Sequence, residues 1–297
     1  SPIHAELPRQ SFNSQWHLGD HQNQGLLVDN VPNWVTPIAY DLPDKVPSSE
    51  LADGVYYLLI DEQSKVTADG SLTQFNHYAT KAMTPKGLEA VSQISITFDP
   101  AYQKIIFHKM NVIRDGVVID KKADSEFNLQ QVESGQRLIY DASKTASWFL
   151  HDIRVGDIVD YQYSIVGTNP VYQGIYSDSR RLQWDVPVHQ QFLRIIWGKK
   201  QPLNFSVNNT EMKFTQTQLG NEIDYQLMLK DMPVSKYYSD AASWFHPYAS
   251  AYWSEMDSWQ QVREWAQALF APQIDQNQAI QELVNQFRSA DTQAEQI

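Results

Sequence analysis

The chain has 297 residues, 42% of them hydrophobic, with nine Trp, fifteen Tyr and twelve Phe, ample for one large or two medium cores. A formal net charge of -12 works against nucleic acid, which needs clustered Lys and Arg, and against docking on an anionic membrane. The absence of cysteine excludes disulfides, thiolate metal sites and a cysteine nucleophile within the chain, and no apolar run approaches the roughly 18 to 20 residues of a spanning helix.

Residues 1–50 read as an N-terminal extension, and Ser1-Pro2 fits a mature protein after leader removal and a trimmed chain equally. From Val55 to Lys230 short β-type runs alternate with turn dipeptides and show no helical period, so residues 51–236 are expected to form antiparallel stacked sheets of β-sandwich type. Asp69-Gly70, Asp115-Gly116 and Gly220-Asn221 each suit the positive φ of a two-residue hairpin turn. In the strand Lys104 to Ile113, Ile105, Phe107 and Ile113 share one face and Ile106, Met110 and Val112 the other, which places that strand between two cover layers. Two strands alternate, and the second of them predicts one packed and one wet face. Val159, Tyr161, Tyr163 and Ile165 oppose Asp160, Gln162 and Ser164; Ile223, Tyr225, Leu227 and Leu229 oppose Glu222, Asp224, Gln226 and Lys230. Pro187 marks a strand end, a bulge or a crossing between sheets.

Residues 237–257 form an aromatic linker, in which Tyr237, Trp244, Tyr252 and Trp253 are candidates for ligand or interdomain contacts. Helical signals follow over 258–297. Ser258 with Gln261 makes a capping box, Val262, Trp265, Ala266 and Leu269 follow a helical stripe, Pro272 is expected to stop that helix, and a second runs from Gln276.

No phosphate loop, dinucleotide fingerprint, zinc-protease helix or serine-nucleophile elbow occurs, and neither a cofactor nor a metal is expected. His77, His108 and His151 lie in or beside strands, where a lone His is more often packed and hydrogen-bonded than a ligand. Asp99, Asp152, Asp157 and Asp160 could supply a carboxylate pair for hydrolysis, but residues of this type beside Pro or Gly more often hold turn backbone. Arg114 and Arg154 could bind a carboxylate, though hairpin arginines commonly pair with neighbouring acids.

Several separated phrases carry a family resemblance: LLIDEQ (58–63), FDPAYQKIIFHKMNVIRDG (98–116) and RVGDIVDYQYSIVGTNP (154–170). Together they resemble the N-terminal β-rich module, a domain of unknown function, of bacterial transglutaminase-like proteins, in which a papain-fold cysteine-hydrolase domain follows. The turn residues that carry it are Asp99, Pro100, Arg114, Asp115, Gly116, Arg154, Gly156, Asp157, Gly167, Asn169 and Pro170, all expected to be structural. The resemblance makes 258–297 the first helices of that next domain, with the catalytic Cys, His and Asp beyond Ile297, so no catalytic residue is assigned to this chain. It implies a non-catalytic, substrate-positioning module of a periplasmic or extracellular protein, with the downstream domain as partner in cis and protein, peptide or glycan as substrate. The alternative is a stand-alone carbohydrate-binding or adhesive β-sandwich. An exposed flat aromatic platform would favour that alternative.

Overall fold

The computed structural model describes residues 10–12, 25–43, 51, 53–122, 125–131, 142–235, 248–276, 281–282 and 285. Strands are numbered in chain order. A nine-stranded central sheet contains β2 (Leu26–Val28), β3 (Val55–Val66), β4 (Leu72–Ala82), β6 (Lys104–Arg114), β7 (Val117–Asp120), β10 (Ile158–Val166), β12 (Val188–Trp197), β14 (Thr215–Leu219) and β15 (Glu222–Met232). Its order is β14-β15-β12-β3-β4-β10-β6-β2, with β7 also beside β6. Among the described residues only β12–β3 and β2–β6 pair in parallel. A four-stranded sheet has the order β1 (Gln10–Phe12), β8 (Ser125–Gln131), β9 (Lys144–Leu150), β5 (Gln93–Phe98). A three-stranded sheet sets β16 (Ser250–Ser254) between β11 (Ser177–Arg181) and β13 (Asn204–Asn208). The stacked antiparallel architecture expected from the hairpin signals is the one observed, interrupted by one short helix, α1 (Leu88–Ser92), and followed by α2 (Trp259–Gln276).

Register shows how the layers stack. Phe107, Tyr163, Asn76, Glu62 and Leu193 face each other across five adjacent strands and so lie on one face of the central sheet. Both small sheets cover that face. Over one half, Phe107, Met110, Val112 and Val159 pack against Ile94, Ile96, Ala146 and Trp148 of the four-stranded sheet. Over the other, Leu193, Ile195, Trp197 and Leu227 pack against Ala251 and Trp253 of the three-stranded sheet. Trp148 is fully buried, its ring 4.8 Å from Phe107. Burying such a side chain contributes roughly 1.5–3 kcal/mol.

The opposite face corrects the wet side expected for β15, on which Lys230 is exposed but Asp224 is buried. Asp160, Ser164 and Asp224 are buried there, because residues 29–41 run across them. Buried polar groups need partners, and the sheet supplies them. The Arg194 guanidinium donates to the Asp224 carboxylate (2.8 Å) and to the Trp34 carbonyl (2.7 Å). Gln63 Nε2 donates to the Thr36 carbonyl, and the Thr36 N–H donates to Gln63 Oε1. Tyr40 Oη donates to Asp160 (2.6 Å), whose other oxygen lies 3.0 Å from His77 Nε2. Residues 26–41 therefore form part of the sandwich and not an extension beside it.

Four further sequence expectations change. The faces expected for β6 are wrong because His108 is an extra residue: Gln162 opposes Lys109 while Tyr163 opposes Phe107. This bulge puts Ile105, Phe107, Met110 and Val112 on one face. Asp69-Gly70 sits in a five-residue loop between Val66 and Leu72, held by the Asp69 carboxylate accepting from the Ser71 N–H, whereas Asp115-Gly116 and Gly220-Asn221 are two-residue turns as expected. Ser250–Ser254, placed in the linker, is the central strand of a sheet. Pro272 does not stop the helix, which runs on to Gln276; a proline at φ near -65° fits helical backbone and removes one N–H from the ladder. Pro187 immediately precedes β12 where the chain leaves the three-stranded sheet for the central one, a crossing between sheets.

Candidate functional site

The family-like phrases converge at two places. At the first, the Arg114 guanidinium clamps the Asp157 carboxylate with two bonds, Nε to Oδ1 (2.9 Å) and Nη2 to Oδ2 (2.7 Å). Asp157 is 2% exposed and also accepts from the Arg154 N–H (2.8 Å). The Arg114 bonds hold its carboxyl below the usual range. Arg114 donates further to the Asp152 carbonyl (2.6 Å), and Arg154 Nε to the Asp152 carboxylate (3.0 Å). The turns Arg114-Asp115-Gly116, with φ of 50° and 80° at its centre, and Arg154–Asp157 thus lock two neighbouring strand ends. With every one of these charges engaged, this joint braces the fold.

The second place is a cleft of about 580 Å³ between the start of β4 in the central sheet and the edge of the three-stranded sheet, roofed by α2. Tyr102 and Gln103 from the FDPAYQ phrase line one wall beside Gly167 and Asn169 from the GTNP phrase. The two phrases touch closely: a Cβ on Gly167, whose φ is 120°, would stand 1.9 Å from the Tyr102 carbonyl oxygen, so only glycine fits. Asp99 accepts from the Ala101 N–H (2.9 Å) in the turn opened by Pro100, and Asn169 caps the 3-10 turn Pro170–Tyr172 by accepting from the Val171 N–H (3.0 Å). That turn presents Tyr172, half exposed, to Trp265 of α2, with near-parallel rings 6.0 Å apart at 18°. Trp265 lines the cleft, and its indole Nε1 is buried without a hydrogen-bond partner among the described residues.

The floor is polar. Asp178 accepts from Gln74 Nε2 (3.1 Å) and from Arg180 Nη1 (2.6 Å). Behind it Arg180 Nε lies 3.1 Å from Glu62 Oε2, and Glu62 Oε1 accepts from Tyr78 Oη (2.9 Å). Tyr176, whose phenol burial pushes up to about 12, closes one side. Glu255 accepts from the Tyr176 N–H (3.0 Å) and from Lys199 Nζ (2.7 Å), which ties the segment leading into α2 to the cleft wall. The arrangement offers aromatic rings for stacking and one carboxylate with three amides, of Gln74, Gln103 and Asn169, for orientation, the composition of a binding site. Among the described residues no group of three or more His, Asp or Glu is placed to hold a metal ion. No described helix is long and apolar enough to cross a membrane.

Of the candidates in the aromatic linker, Tyr237 and Trp244 lie outside the described residues. Trp253 is 3% exposed and donates through Nε1 to Tyr176 Oη (3.2 Å), so its ring packs in the core. Tyr252, its neighbour in the strand, points outward and is 44% exposed. His77 and His108 are buried and hydrogen-bonded, His108 between the Asp29 carbonyl and Ser164 Oγ (2.8 Å each). Sequence reading missed Gln74, Tyr172, Tyr176 and Asp178. Only Trp265 carried a signal, as an aromatic on the stripe of a capped helix.

Three stacked sheets with an aromatic cleft under a C-terminal helix define a β-sandwich module. A family model described as a domain of unknown function with a solved structure, DUF3857, matches residues 68–236, more than half of the chain, and the chain belongs to that family. No curated protein sequence matches it. Among solved structures, one from Parabacteroides distasonis described as a putative protease superposes with a TM-score of 0.68 at 16% identity, over 82% of this chain and 48% of that one. The chain therefore spans about half the length of that neighbour, and the likeness is one of fold. An M1 zinc metallopeptidase from Deinococcus radiodurans reaches a TM-score of 0.32 at 11% identity, over 59% of this chain and 39% of that one, too low to carry an argument.

Proposed function

We propose that this chain is the substrate-positioning module of a periplasmic or extracellular transglutaminase-like protein, a cysteine hydrolase or acyltransferase. In this reading the catalytic Cys, His and Asp belong to a domain following in cis, and the cysteine-free chain performs no covalent step itself. The observation that carries the proposal is the cleft. Two of the family-like phrases build its wall, and Trp265, on what the resemblance makes the opening helix of the next domain, forms its roof. Ligand sites fall preferentially at such joints between domains. The fold neighbour described as a putative protease supports a protease-associated role. A protein or peptide substrate suits the cleft, since aromatic rings accept side chains while Asp178 and Gln74 orient a backbone.

The test uses the protein encoded by the gene together with whatever its reading frame specifies after Ile297. The expected result is casein hydrolysis or amine incorporation that thiol alkylation abolishes, with Tyr172→Ala raising KM and leaving kcat unchanged. Hydrolysis by the 297-residue chain alone, lost on substituting one of its residues, would overturn the proposal.

A further inference from the structure

The outer face of the three-stranded sheet holds a second constellation, which meets the cleft at Ser177, Asp178 and Ser254 but shares none of the cleft's aromatic residues. β16 is central there, and its outward residues are Ser250, Tyr252 and Ser254, each paired on both sides. Tyr252 lies between Ser179 of β11 and Ser206 of β13, so its ring stands between two hydroxyls on the middle rung. Asn204 and Asn208 flank it on the rungs above and below, roughly 7 Å away along the strand. The inward residues of the same strands, among them Phe205, Ala251 and Trp253, pack into the core, so the platform is backed by rigid structure.

Two depressions, of about 520 and 210 Å³, lie at either end of this face, and Tyr252 lines both. The ring is therefore a ridge between two hollows, the larger lined by Ser177, Ser206 and the Asn204 amide, the smaller by Tyr248 and Ser250. No carboxylate points outward from the three strands, in a chain whose net charge is -12; Asp178 and Arg180, which border the larger and the smaller hollow, are inward residues of β11 paired with each other (2.6 Å). The single outward cation, Arg181, is already engaged: Nε donates to the Gln183 carbonyl (2.7 Å), and the guanidinium lies over the Tyr248 ring at 4.3 Å. Such a face suits neither nucleic acid, which needs free cations, nor a protein interface core, which gathers several apolar anchors. It matches a polyhydroxylated neutral ligand. A pyranose carries C–H groups on its faces and hydroxyls around its rim, so one sugar can stack on an exposed phenol ring while its neighbours bond to Ser and Asn.

We propose that the outer face of β11-β16-β13 binds a neutral glycan chain, with one sugar stacked on Tyr252 and flanking sugars held in the two hollows. This proposal does not rest on the cleft reading. Its test measures retention of the 297-residue chain on insoluble chitin and cellulose, and on an array of neutral oligosaccharides. At least one of these is expected to bind. Tyr252→Ala should weaken that binding by about tenfold, and Tyr252→Phe, which keeps the ring, should stay close to the native chain. Tyr172→Ala, in the cleft, should leave glycan binding unchanged. Tyr252 is exposed, so all variants should melt with the native chain; a second variant, Tyr252→Gln, repeats the loss with a hydrogen-bonding side chain in place of the ring. Failure of the native chain to bind any of these glycans would overturn the proposal. So would equal binding by Tyr252→Ala, or Tyr252-dependent binding to a peptide array in their place.

Discussion

At Asp61 a carboxyl lies with no exposed surface, accepts both bonds from Gln63 Nε2 (3.0 and 3.2 Å), and sits 4.0 Å from His77 Nδ1. Burial pushes it up to about 7, against the downward pull of the Gln63 bond and of His77. A carboxyl whose folded value exceeds its unfolded one makes the native state bind the extra proton, so stability falls as pH rises between about 4 and 7. Asp61→Asn keeps an acceptor for Gln63 and removes that titration. Urea denaturation should show the variant gaining on the native chain by up to a few kcal/mol at pH 8.5, with the gain largely gone at pH 4.5; a pH-independent difference would show that Asp61 is ionised throughout. Gly156 makes a second residue-scale case. Its φ is 97° although a Cβ there would meet nothing within 4 Å, so the cost of a side chain is conformational and not steric. Gly156→Val is expected to lower stability by about 1–3 kcal/mol, while His151→Ala, at an exposed position, changes it by less than about 0.5 kcal/mol. Equal melting temperatures for the two variants and the native chain would contradict this.

β12 is buried along all ten residues, and one of them is arginine. Arg194 is tolerated because it is saturated: Asp224 takes two of its nitrogens, and the Trp34 carbonyl takes the third. The bond to the Trp34 carbonyl, together with the Gln63–Thr36 pair, fastens residues 34–36 across the sheet, so polar groups inside the sandwich also close its second face. Arg194→Ala leaves the Asp224 carboxylate buried without its cation and should cost about 3–5 kcal/mol, judged by chemical denaturation. Amide exchange across residues 34–40 should accelerate in that variant. The paired change Arg194→Met with Asp224→Leu should recover most of the stability without restoring protection at 34–40, since no donor then reaches the Trp34 carbonyl. Recovery of both together would mean that apolar contact alone holds the segment.

On the scale of the whole molecule, the sandwich and α2 are unequal partners. The helix touches the cleft through Val262 and Trp265, while Trp259 and Phe270 are 86% and 61% exposed. β10, by contrast, is paired along its full length to β4 and β6 and covered on both faces. Hydrogen exchange in α2 should therefore be faster than in β10, and if the proposed downstream domain packs on Trp259 and Phe270, protection there should rise in the longer protein. Equal protection of α2 and β10 in the 297-residue chain would show that the exposed aromatics need no further cover, and would weigh against the substrate-positioning proposal.

Local chemistry was enough to define the β architecture. Asp115-Gly116 supplies the two positive φ values of a tight hairpin, period-two alternation marks β10 and β15, and a capping box marks the start of α2, because each depends on residues adjacent in the chain. The phrases FDPAYQ and GTNP were likewise visible as turns. What alternation could not disclose was which polar face would meet water. Asp224 read as solvated and Asp160 as a turn or hydrolytic carboxylate, and only the passage of residues 29–41 over them makes them buried partners of Arg194 and Tyr40. The same holds for the bulge at His108, which exchanges the faces of β6, and for Tyr252 and Trp253, adjacent aromatics of one strand. The first lies on an open platform and the second in the core. The cleft is the clearest case, since its walls come from residues near 74, 102, 169, 178 and 265. Distances between residues so far apart in sequence are set by how the three sheets stack, and no local pattern encodes them.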